Sequence, residues 1–180
     1  HDACCVVFVA NIKGRKSHEI SEKALGVLAN LAHRGACGCD PETSDGAGIL
    51  LQIPHNYYCD QLAARHITLP EPGCYGVGML FLPTDAGERT RYESIVEEVI
   101  AAEGQTVLGW RDVPVDSSTI GWLARSVEPV IRQIFIGRAG DCRDEAAFER
   151  RLLIIRRVAQ NRIAALKLPQ ENFFYVHSLS

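Results

Sequence analysis

Short apolar, β-branched runs alternate with segments of helical period along this chain, and one Gly-, Asp- and Pro-bearing loop, Gly35 to Gly48, interrupts the alternation early. The run Cys4–Ile12 is short and β-branched, which predicts a buried strand. Ser17 and His18 then lead into a predicted helix whose apolar positions Ile20, Ala24, Val27, Leu28 and Leu31 keep the three-and-four spacing of a buried face, with Gly35 as its stop. Beyond the loop, Ile49–Ile53 predicts a second strand ended by Pro54, followed by a short helix over about Asn56–Arg65. The remaining pattern predicts strands at Tyr75–Leu82, Val107–Trp110, Val130–Ile136 and Phe173–His177, with helices at Ala86–Glu103, Ser118–Leu123 and Glu145–Leu166. Such alternation ordinarily gives a parallel, doubly wound sheet. The long loop between the first helix and the second strand argues against that default. There are no internal repeats, and Pro70–Gly73 is the best candidate for an internal joint.

With 180 residues, 47% of them hydrophobic, the chain can bury a substantial core. The net charge is −3. The arginines Arg150, Arg151, Arg156, Arg157 and Arg162 share a helical pattern with Leu152, Leu153, Ile154 and Ile155, so neither nucleic acid nor an anionic membrane surface is indicated. No apolar run approaches the roughly 18 to 20 residues of a membrane span, and no signal peptide precedes His1, so a cytoplasmic location is expected. The seven cysteines are odd in number and scattered, which favours reduced thiols over a disulfide framework. Cys37 and Cys39 lack a second pair at zinc-finger spacing, so no metal site is expected. The segment Gly73–Gly78 lacks the Gly-x-Gly-x-x-Gly spacing, so no phosphate site is expected either.

Cys4 heads the first predicted strand, just after Asp2-Ala3. If the chain were cleaved after Ala3, Cys4 would carry both a thiol and a free α-amine. An α-amine titrates at about pH 8, close to a thiol, so one residue could supply nucleophile and base. Taken alone, a cysteine in an apolar strand is more often an inert core residue.

His33-Arg34-Gly35-Ala36 and Asp45-Gly46-Ala47-Gly48-Ile49 accompany Asp2-Ala3-Cys4, Phe8-Val9-Ala10-Asn11-Ile12-Lys13-Gly14 and Asp40-Pro41-Glu42-Thr43. Together they resemble the glutaminase domain of the glutamate synthase large subunit, a class II glutamine amidotransferase. The block up to Pro54 carries the specific motifs, the middle is matched by length and pattern, and Phe174–Ser180 looks like a family segment that continues further.

The resemblance implies an α+β fold, the αββα four-layer sandwich of N-terminal nucleophile hydrolases, incomplete in this chain. Residues 1–3 would be residual propeptide and 4–180 the N-terminal portion of the amidotransferase domain. It implies Cys4 as the catalytic residue, attacking the glutamine side-chain amide to form a thioester, release ammonia and be freed by water. Turn chemistry accounts for His33, Arg34 and Asp45, which are expected to brace the nucleophile strand. No cofactor is expected in this chain, while FMN and an iron–sulfur cluster are implied for the longer enzyme. The implied partners are glutamine, the remaining glutamate synthase domains and a small subunit, with no nucleic acid and no membrane.

The sequence departs from the family's pattern at Cys5 and Val7, where glycine is usual, and at Cys37, Cys39 and Ser44. A Cβ at position 5 or 7 could crowd the backbone or forbid φ > 0, at about 1 to 3 kcal/mol. The family's glutamine-binding arginine and Asn-Gly oxyanion segment lie beyond the point matching Ser180, so these residues alone are expected to be inactive. Two other readings remain: an amidotransferase serving purine or asparagine synthesis, and a non-catalytic remnant acting as a packing or partner-binding module.

Overall fold

A computed structural model describes residues 6–31, 40, 42–43, 46–140, 142 and 144–180. The chain divides into two compact units, one of His1–Ile53 with Asp116–Ser126 and the other of Pro54–Val115 with Val127–Ser180. The division falls at Pro54 and around an excursion between two strands, not at Pro70–Gly73. That Pro- and Gly-bearing segment is instead a tight turn, closed by Cys74 N–H donating to the Glu71 carbonyl (2.9 Å).

The first unit contains α1 (His18–Asn30), and the Asp116–Ser126 excursion that belongs to it contains the short α4 (Trp122–Ser126). In α1 the predicted apolar stripe is correct in position: Ile20, Ala24, Val27, Leu28 and Leu31 are half-buried while the charged positions are exposed. The predicted strand Cys4–Ile12 is not formed over its described residues, and neither is Ile49–Ile53. Val6, Phe8 and Leu50 are each about nine-tenths exposed (89%, 90% and 91%). A β-branched run adopts a ladder only when another strand offers its N–H and C=O groups, and no described residue of this unit lies in a strand. The helix predicted at Ser118–Leu123 forms later, at Trp122–Ser126, after a turn.

The second unit holds α2 (His55–Ala63), β1 (Tyr75–Leu82), α3 (Ala86–Ala102), β2 (Thr106–Asp112), β3 (Val130–Gly137), α5 (Glu145–Ala164) and β4 (Tyr175–Leu179). The strands form one antiparallel sheet in the order β2-β3-β1-β4. This agrees with the α+β expectation, but the described residues form one sheet and not the two of a four-layer sandwich.

Leu80, Leu82, Ile134, Ile136 and Val176 line one face of this sheet, and α3 and α5 cover it. α5 meets it through Phe148, Leu152, Ile155, Ala159 and Ile163, a three-and-four repeat in which every member is buried. α3 contributes Tyr92, Ile95, Val96, Val99 and Ile100. Both helices start with a carboxylate cap: Asp85 accepts from Glu88 N–H (2.8 Å) and Asp144 from Ala147 N–H (2.7 Å). Of the α5 arginines, Arg151 pairs with Glu103 (3.0 Å) and Arg162 with Glu98 on α3, consistent with a solvated face. The opposite face of the sheet carries Phe135, against which Tyr58 of α2 packs edge-on at 5.1 Å between ring centroids. No described helix is long and apolar enough to cross a membrane.

Candidate functional site

Cys4, the predicted nucleophile, lies outside the described residues, as do Cys5, His33, Arg34, Cys37, Cys39, Ser44 and Asp45. The described parts of the same motifs show what their residue types do locally. Asn11 opens a turn: its side-chain carbonyl accepts from Lys13 N–H (2.9 Å) and its backbone carbonyl from Gly14 N–H (2.9 Å). Gly14 sits at φ +67°, where a Cβ would be strained. The Asn11-Ile-Lys-Gly14 segment therefore reverses the chain directly after the strand-like run. Val7 is exposed, and the non-glycine residues with positive φ among the described ones are His66 and Lys167. Position 7 does not have the positive φ that a Cβ would strain.

Asp40 is the organising residue of the second motif. It is 3% exposed, and its carboxylate accepts from Glu42 N–H (3.1 Å), Thr43 Oγ1 (2.9 Å) and Leu123 N–H (3.2 Å), the last 83 positions away in sequence. Gly121 N–H donates to the Glu42 carbonyl (3.2 Å), and a Cβ on Gly121 would collide with the Asp40 carboxylate. One acidic side chain thus ties its own turn to the start of α4, satisfying amides that a short helix leaves open. Burial pushes this carboxyl up, but the N–H groups of Leu123, Glu42 and Trp122 and the Thr43 hydroxyl outweigh it and hold the group below the usual range.

A depressed carboxylate contributes stability that is present above its ordinary value of about 4 and lost as pH falls through the depressed folded value. Asp40→Asn is accordingly expected to speed amide exchange at Leu123 about tenfold near pH 6, with the gap to the unsubstituted protein closing as the pH is taken below about 4. Equal protection of Leu123 in both proteins near pH 6 would contradict this role.

In the second unit, a polar network joins α2 to β2 and β3. Arg111 and Gln133 are each 5% exposed and directly opposed across the β2–β3 ladder. Arg111 donates to Gln133 Oε1 (2.8 Å), to the Tyr57 hydroxyl (2.9 Å) and to Gln61 Oε1 (3.3 Å), while Gln133 Nε2 donates to the Tyr58 hydroxyl (2.8 Å). Burial raises the Tyr58 hydroxyl above its ordinary value against the Gln133 bond and the Arg111 charge, so it stays protonated.

Beside this network, His55 Nδ1 lies 3.0 Å from the Tyr75 hydroxyl and His55 Nε2 lies 3.5 Å from Cys59 Sγ. Burial, with Cys59 and Tyr58 adding to it, pushes the Tyr75 hydroxyl up to about 12. None of these residues stands out in the sequence. The one local signal is the i, i+4 spacing of His55 and Cys59, with His55 one residue ahead of the helix expected over about Asn56–Arg65. Among the described residues, no three or more His, Cys, Asp or Glu side chains gather as metal ligands.

Comparison with known proteins defines the class. The sequence profile described as Glutamine amidotransferases class-II matches residues 4–180, and the chain belongs to that family. Within it, the chain is similar to glutamate synthases. It is 44% identical over 161 residues to the Glutamate synthase [NADPH] large chain of Bacillus subtilis (strain 168), covering 89% of this chain and 10% of that protein. It is 38% identical over 164 residues to Ferredoxin-dependent glutamate synthase 2 of Synechocystis sp., covering 89% of this chain and 10% of that protein. It is 38% identical over 189 residues to Glutamate synthase [NADH] of Saccharomyces cerevisiae, covering all of this chain and 8% of that protein. The chain spans about a tenth of the length of these relatives.

Proposed function

We propose that this chain carries the nucleophile-bearing part of a glutamate synthase glutaminase unit, with Cys4 as nucleophile once residues 1–3 are removed. The single observation that supports this most is that the amidotransferase match opens at residue 4, which is Cys4. The similarity to relatives named for NADPH, NADH and ferredoxin also supports it, since a region shared across three electron donors suits a step that uses none of them.

In this reading the Cys4 α-amine takes the thiol proton and the thiolate attacks the glutamine side-chain carbonyl carbon. The carbon–nitrogen bond then breaks, the amine returns its proton to the departing ammonia, and water cleaves the thioester to glutamate. The Asn11–Gly14 turn and the Asp40 bonds serve as architecture for that chemistry. The oxyanion donors come from elsewhere: the 180 residues contain no Asn-Gly dipeptide. The FMN and iron–sulfur cluster implied by the resemblance belong to other regions of the longer enzyme, and no step here runs through them. A cytoplasmic location and contacts with further synthase domains and a small subunit are part of the same proposal.

Intact-mass spectrometry tests it. The expected result, in a chimera where residues 1–180 replace the matching segment of the Bacillus subtilis large chain, is a mature chain starting at Cys4 that takes up one equivalent of a diazoketone analogue of glutamine on that residue, with excess glutamine protecting it. An unprocessed chain that the analogue does not label would favour the non-catalytic packing module.

A further inference from the structure

The second unit contains a nucleophile, a proton acceptor and an orienting group within bonding reach of one another: Cys59, His55 and Tyr75. Cys59 and His55 are one helical turn apart on α2, with Sγ 3.5 Å from Nε2, and the other ring nitrogen of His55 is 3.0 Å from the Tyr75 hydroxyl at the start of β1. The His55 and Tyr75 rings are also in contact, their centroids 5.8 Å apart and tilted by 44°. Tyr75 is buried, whereas His55 and Cys59 are half-buried and reachable from solvent. A thiol within reach of an imidazole that a third group holds in place is the arrangement that activates cysteine nucleophiles. The third group has to accept a hydrogen bond here. An imidazole protonated on Nε2 donates from both nitrogens, and a hydroxyl oxygen facing Nδ1 can receive the second N–H.

We infer that Cys59 is a second activated thiol of this protein, a modification site for hydroperoxides with His55 as its proton acceptor and Tyr75 as the group positioning the ring. In the step, the Cys59 proton passes to His55 Nε2 and the thiolate sulfur attacks one peroxide oxygen. The oxygen–oxygen bond breaks with the sulfur taking the hydroxyl oxygen, the leaving oxygen takes the proton from His55 to depart as the alcohol, or as water when the peroxide is hydrogen peroxide, and sulfur is oxidised by two electrons to the sulfenic acid as the peroxide is reduced.

The test uses the 180-residue chain carrying Cys4→Ala, so that its outcome is independent of the role proposed for Cys4. The protein is treated with hydrogen peroxide, sulfenic acid is trapped with dimedone, and each cysteine is followed by peptide mapping. Cys59 is expected to be trapped about tenfold faster than free cysteine, and His55→Gln is expected to remove that advantage with the circular dichroism spectrum unchanged. A Cys59 rate no greater than that of free cysteine would overturn the inference, and so would an unchanged rate in a folded His55→Gln protein. Should His55→Gln fail to fold, the comparison of the His55-containing protein with free cysteine decides by itself.

Discussion

Replacing Cys4 by alanine is expected to lower glutamine-dependent ammonia release by about 10⁴-fold or more, while glutamate formation from added ammonia stays within about twofold. The measurement suits a chimera in which residues 4–180 replace the matching segment of the Bacillus subtilis large chain, with the Cys4-containing chimera as reference. The split between the two activities carries the information. On the proposed mechanism alanine removes the sulfur that forms the thioester, so no alternative route through the same site remains. Synthesis from free ammonia bypasses that bond altogether. A parallel fall in both activities would point to a folding defect, and retention of more than about one hundredth of the glutamine-dependent rate would exclude Cys4 as nucleophile.

The second large effect is one of stability. Arg111→Met is expected to destabilise the second unit by about 1 to 3 kcal/mol, read from urea unfolding. Arg111 is a buried cation whose described hydrogen-bond partners are the neutral oxygens of Gln133, Tyr57 and Gln61. Truncation leaves the buried Gln133 oxygen without its donor and its desolvation uncompensated, whereas the Tyr57 and Gln61 oxygens belong to exposed residues and can turn to water. Adding Gln133→Leu should recover part of the loss, because the second substitution removes an oxygen that the first one orphans. A loss below about 0.5 kcal/mol would show that water replaces the guanidinium without difficulty.

These two predictions draw on different kinds of information. Cys4 is proposed as a nucleophile on the string of residues around it, which resembles a family motif without any geometry beside it. The Arg111 network was not legible, because it depends on the register that sets Arg111 opposite Gln133 and on α2 lying over the same sheet face. Neither fact is local in the chain.

The same distinction separates the elements read correctly from those that were not. In α5 the buried positions Phe148, Leu152, Ile155, Ala159 and Ile163 repeat at the helical period, and the predicted strand Tyr75–Leu82 is found with the same ends. Each is a pattern that a short window contains whole. The run Cys4–Ile12 has strand composition as well, yet residues 6–12 have no ladder. Composition states a preference, and pairing depends on what else is near. Pro70–Gly73 misled for a related reason: Pro and Gly mark a change of direction, whether it joins two bodies or, as here, turns the chain into β1. The excursion of Asp116–Ser126 out of the β2–β3 connection into the first unit has no compositional sign.

That excursion gives the molecule a built-in pair of optical reporters. The chain has two tryptophans, and it leaves one in each unit: Trp110 on β2 and Trp122 on α4. Trp110 donates its indole N–H to Glu97 (2.7 Å) beneath the Arg132 guanidinium, whereas Trp122 is 71% exposed. Their emission therefore starts from different surroundings, and a single Trp→Phe change at either position leaves a fluorophore that belongs to one unit alone.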